Sequence, residues 1–126
     1  MIDTREMGPG YRQQFSNGGQ IAHADMPKDK GGEGEGFRPR ELLEPALATC
    51  MSMTVRMAAE KYGITLAHVA VRVTLDRSVA DDFAFDYQLT LPNELTAEQR
   101  ARLERAAAQC PVSKTLAAAP RVRHAK

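Results

Sequence analysis

The chain has 126 residues, with 17 Lys and Arg against 16 Asp and Glu and a formal net charge of +1. That length suits one domain with a modest core, and 43% apolar with 26% charged residues is ordinary globular composition. Mixed, nearly balanced charge supplies no field for nucleic acid or an anionic membrane, and no apolar run approaches the ~20 residues that span a bilayer.

The start, Met1-Ile2-Asp3-Thr4-Arg5-Glu6, is polar and is no secretory signal, so a cytoplasmic protein is expected. Residues 1–10 either hang free or form a short strand. Residues 11–27 read as a hairpin, with Tyr11 to Phe15 and Gln20 to Met26 flanking Ser16-Asn17-Gly18-Gly19. Asn-Gly there supplies the positive φ values of a tight primed turn. Residues 28–37 are rich in glycine and charge and read as a mobile loop.

A first helix is expected from Pro39, whose φ suits the first helical position, to about Tyr62, stopped by Gly63. Leu42, Leu43, Ala46, Leu47, Cys50, Met51, Thr54 and Met57 recur at helical spacing and place Cys50 on the apolar face. Pro45 inside that pattern predicts a kink in the second turn. Val69 to Leu75 and Phe83 to Leu91 alternate apolar with polar residues, the pattern of an antiparallel pair of strands joined through Asp76 to Asp82. Thr96-Ala97-Glu98-Gln99 is a capping box opening a second helix to about Cys110. Pro111 interrupts, and a short helix to Ala118 follows. Residues 120–123 leave room for one short strand. The alternation of hairpin and helix predicts an α+β fold.

Two cysteines make no disulfide scaffold, and no close ligand spacing suggests a structural zinc site. Nucleophilic chemistry at sulfur needs the thiolate. Cys110, at the junction before Pro111, gains from unpaired amides and a helix dipole, worth roughly 0.3–1 kcal/mol. Cys50, in mid-helix, needs a cation from elsewhere; Arg12 and Arg40 are the candidates. Equally, free cysteine is often a small buried hydrophobe. From the residues alone both readings of the thiols stand. His23, His68 and His124 are scattered and read as surface or strand residues.

The stretch from Pro39 to Thr54, Pro-Arg-Glu-Leu-Leu-Glu-Pro-Ala-Leu-Ala-Thr-Cys-Met-Ser-Met-Thr, resembles the first-cysteine helix of the OsmC/Ohr (organic hydroperoxide resistance) family. Cys110-Pro111-Val112-Ser113-Lys114-Thr115-Leu116 resembles the Cys-Pro segment of its OsmC branch, and the similarity spans about residues 16–118. The resemblance implies a single OsmC-like domain, 1–126, in which antiparallel sheets wrap a central cysteine-bearing helix within an intertwined homodimer. It implies reduction of organic hydroperoxides without metal or cofactor: Cys50 attacks and becomes a sulfenic acid, Cys110 closes a disulfide, and an external dithiol, with dihydrolipoamide as one candidate, restores both thiols. The alternative within the fold is a redox sensor or a binding protein for small apolar ligands. Relatives carry an acidic residue directly after the helix-starting proline, orienting a hairpin arginine. This chain has Arg40 there and Glu41 one residue on, about 100° around a helix. Arg12 is the nearest hairpin counterpart, and Ser113 stands where many OsmC-branch relatives have His. Leu47, Met51, Met53 and Met57 either form an apolar pocket at Cys50 suited to an alkyl or lipid hydroperoxide, or the methionines simply fill the core.

Overall fold

Three short strands build the first of two units into which the chain divides, Met1–Leu43 and the residues from Glu44 onward. The structure is a computed structural model that describes residues 1–125. Strands β1 (Asp3–Glu6), β2 (Gln13–Ser16) and β3 (Ile21–Ala24) form an antiparallel sheet in that order. Asp3 stands opposite Ser16, and Ser16 opposite Ile21. The β2–β3 connection is not the tight primed turn that Asn-Gly suggested. Gly18 has φ +96°, but Asn17 does not enter the left-handed region. Instead its Oδ1 accepts the amides of Gly19 at 2.9 Å and Gln20 at 2.7 Å, so the side chain organises a four-residue loop.

The glycine-rich stretch after β3 folds around Asp25, which is 3% exposed. Its carboxylate accepts the amides of Met26 (2.8 Å), Glu33 (3.1 Å) and Glu35 (3.3 Å). Lys28–Lys30 makes one 3-10 turn within this stretch. Gly32 passes so close to Met26 that a Cβ would overlap the Met26 carbonyl. Glycine is required there by space.

The second unit is built on α1 (Leu43–Lys61). The sequence placed the start at Pro39, but residues 39–42 are turns in which the Leu42 and Leu43 amides reach Pro39 and Arg40 carbonyls. Starting at Leu43 puts Pro45 in the first turn, where an amide has no intrahelical acceptor. The expected second-turn kink therefore has no cause. Leu47, Met51, Val55 and Ala59 form the buried stripe, one residue per turn. Gly63, at φ +64°, ends the helix, with Gly63 N–H on Glu60 O and Ile64 N–H on Ala59 O, the paired bonds of a Schellman motif.

Strands β4 (Ala70–Asp76) and β5 (Ala84–Thr90) form the expected antiparallel pair, with Val71 opposite Leu89, Val73 opposite Tyr87 and Leu75 opposite Phe85. Helix α2 (Ala97–Ala108) opens on the capping box: Gln99 N–H donates to Thr96 Oγ1 at 3.1 Å and Thr96 N–H to Gln99 Oε1 at 3.0 Å. Helix α3 (Pro111–Ala117) follows. Residues 118–125 form no strand. The apolar faces meet in two clusters. Val55, Ala59, Ile64, Leu66, Leu91, Leu103 and Ala107 make one. Leu47, Met51 and Cys110 make the other. Helices and antiparallel strands in separate stretches give the α+β class that the pattern predicted. No helix among the described residues is long and apolar enough to cross a membrane.

Candidate functional site

Cys50 lies in α1 between the buried Leu47 and Met51, rotated off the centre of the stripe and half-buried. Cys110 reaches the same place by a break in the chain. Helix α2 ends at Ala108, and a residue preceding proline is driven out of the helical region. Cys110 accordingly adopts φ −63° and ψ 145° and becomes the N-cap of α3, with Pro111 as the first helical residue. Its side chain is fully buried against Leu47 and Met51, with Cys50, Phe85, Val112 and Leu116 packed around the cluster. The fold thus brings the two cysteines, sixty residues apart in sequence, into one apolar cluster.

The environment of Cys110 corrects the expectation of a stabilised anion. Burial pushes its thiol above the ordinary value, and the neighbouring Cys50 thiol pushes the same way. The Ser113 amide does point at the sulfur, at 3.4 Å, and pulls downward, but desolvation prevails. Cys50 is the more accessible thiol and Cys110 the sealed one.

A partly open cavity of about 300 Å³ borders this cluster. Leu47 and Met51 of α1, Phe85 and Tyr87 of β5, Phe83 just before that strand and Leu116 of α3 line it. Ser113 also lines it, and the amide of the same residue points at the Cys110 sulfur. The expected four-residue pocket is split. Leu47 and Met51 are at the cavity, whereas Met53 and Met57 line a separate groove with Arg56 and Val69 and are largely exposed. Residues two apart on a helix point about 200° apart, so Met51 and Met53 cannot share one wall.

The charged candidates lie in the first unit. Arg12, just before β2, places Nη1 3.1 Å from Glu35 Oε2. Its charge also bears on Asp25: burial would raise that carboxyl, but the amides of Glu35, Met26 and Glu33 and then the Arg12 guanidinium hold it below the ordinary value. Arg40 is exposed in the turn before α1. Glu41 accepts the Arg38 amide at 3.0 Å, which fastens that turn. Glu35, the partner of Arg12, was missed because an acidic residue among glycines carries no signal of its own. The aromatic row at 83, 85 and 87 was visible as strand alternation, but nothing in the pattern marked it as a cavity wall. Among the described residues no three metal-ligating side chains converge.

No curated protein sequence matches the chain. Among solved structures, a Psychrobacter arcticus 273-4 protein assigned to osmotic stress induction and detoxification response aligns with a TM-score of 0.75 and 26% identity, over 90% of this chain and 85% of that one. The organic hydroperoxide resistance protein OsmC of Legionella pneumophila aligns with a TM-score of 0.65 and 22% identity, over 92% of this chain and 87% of that one. The organic hydroperoxide resistance protein OhrB of Bacillus subtilis gives 0.60 and 22%, over 91% and 87%. These last two likenesses concern the fold. A family model described as OsmC-like protein matches residues 32–125, and the chain belongs to that family.

Proposed function

We propose that the protein is a thiol peroxidase that reduces organic hydroperoxides through Cys50 and Cys110, working as a homodimer in the cytoplasm. The observation that carries this reading is the meeting of two sulfurs from distant parts of the chain in one apolar cluster beside a cavity. Family membership and relatives named for hydroperoxide resistance support it. The Cys50 thiolate attacks the peroxide oxygen distal to the alkyl group. The O–O bond breaks, the alcohol leaves with a proton, and sulfur is oxidised to a sulfenic acid. Cys110 then displaces hydroxide from that sulfur, giving a disulfide and water. An external dithiol of the dihydrolipoamide class reduces the disulfide by two electrons and is itself oxidised. The half-buried position of Cys50 suits attack on an incoming substrate, and the sealed position of Cys110 suits resolution. Negative charge developing on the leaving oxygen calls for a cation, and Arg12 and Arg40 are the candidates. The exposed Met53 and Met57 on α1 fit a subunit interface.

Steady-state reduction of cumene hydroperoxide by dithiothreitol or dihydrolipoamide tests the reading. Turnover is expected in the native protein and absent in Cys50→Ser; Cys110→Ser should accumulate sulfenate. Arg12→Met and Arg40→Met, measured separately, identify the cation by which of them loses turnover. The raised Cys110 thiol favours a second reading, a redox sensor whose sulfenate persists because resolution is slow. Turnover no faster than free dithiol removes the enzyme and leaves the sensor.

A further inference from the structure

Of the chain's four phenylalanines and three tyrosines, Phe83, Phe85 and Tyr87 stand at alternate positions along one stretch and line one cavity. Alternation in an extended chain puts all three rings on one side. Opposite them are the flexible Met51 and the branched Leu47, and Leu116 lies at the α3 wall. Phe83 is 55% exposed and Tyr87 41%, so these rings do not simply fill a sealed core. The row presents aromatic surface to whatever enters. At about 300 Å³ the cavity is at the small end of ligand sites, enough for one substituted ring and too small for a complete fatty-acyl chain.

We infer that this cavity selects hydroperoxides bearing an aryl group over those of equal size with a saturated ring; the inference rests on the peroxidase reading for its chemistry but not for its binding. A flat ring packs edge or face against aromatic neighbours and gains beyond the area it buries. A saturated ring of the same carbon skeleton buries similar area without that gain. Leu47 and Met51 belong both to the cavity wall and to the cluster that holds Cys50 and Cys110, so a ring seated here lies next to the side chains that pack on the two thiols. Phe83, the most exposed of the three, is the residue whose loss changes selectivity with the least disturbance to the core.

The test pairs cumene hydroperoxide with 2-cyclohexyl-2-propyl hydroperoxide. The native protein is expected to favour the aryl substrate in kcat/KM by about two- to tenfold after correction for the uncatalysed reaction with dithiothreitol. In Phe83→Leu that ratio should fall toward unity. Equal kcat/KM for the two in the native protein, or an undiminished ratio in a folded Phe83→Leu, overturns the inference. A binding arm separates this from the peroxidase reading. Calorimetric titration of the reduced protein with 2-phenyl-2-propanol and 2-cyclohexyl-2-propanol should show the same preference. If neither hydroperoxide is turned over, the peroxidase reading fails while this titration still decides selectivity: preference for the aryl alcohol upholds the inference, and equal affinity or absence of binding ends it.

Discussion

Cys110 is the residue at which opposing effects can be weighed most directly. An amide donor from Ser113 favours its thiolate, but burial and a second thiol favour the protonated form, and the balance lies above the ordinary value of 9.0. A raised acid of this kind binds its proton more tightly in the folded state. Its stabilising contribution is therefore complete below the unfolded value and is lost as pH rises through the folded one. Native stability is expected to decline above about pH 9, and Cys110→Ala should flatten that decline; urea denaturation from pH 7 to 10.5 measures both. Asp25 runs the opposite way. Its carboxyl is held below 3.8, so its contribution is present above that value and is lost as pH falls through the lower, folded one. Thermal melts of Asp25→Asn should show lower stability at neutral pH and a weaker acid dependence below about pH 4 than the native protein.

At the level of elements, helix boundaries follow from where backbone groups find partners. Thr96 and Gln99 answer each other's amides at the start of α2, and Thr96→Ala should cost about 1 kcal/mol in chemical denaturation. The start of α1 was misplaced because the Pro-Arg-Glu opening is itself a good helix signal, and only the location of Pro45 relative to the first hydrogen-bonded turn decides between Pro39 and Leu43. Because Pro45 sits in that first turn, Pro45→Ala should change stability by less than about 1 kcal/mol, against about 3 kcal/mol for a proline in a helix interior. A larger gain on substitution would mean that the proline does strain the helix. The strands were easier to read. Period-two alternation in Val69 to Leu75 and Phe83 to Leu91 has one structural solution, and the hairpin register keeps their apolar residues on one side.

Across the molecule, the proposed disulfide between Cys50 and Cys110 would have a thermodynamic consequence. Closing a loop of about 60 residues lowers the entropy of the unfolded chain, and the oxidised protein should be more stable than the reduced by up to about 4 kcal/mol. Paired urea titrations with and without dithiothreitol, with the cross-link verified by mass spectrometry, measure the difference. A failure to form any intramolecular cross-link in excess peroxide would end the two-cysteine mechanism.

The order of elements from the β2–β3 hairpin onward, the α+β class, the helix-ending glycine, the capping box and the family resemblance were legible in the sequence, because each is written in local periodicity or in neighbours a few residues apart; whether residues 1–10 form a strand was not. The tertiary structure alone decided what depends on long-range packing. It joined Cys110 to Leu47 and Met51, paired Arg12 with Glu35 and gave the aromatic row a space to line. It also reversed the sign expected for the Cys110 thiol. A helix dipole can be read from a helix start, but desolvation depends on which distant side chains close over the sulfur.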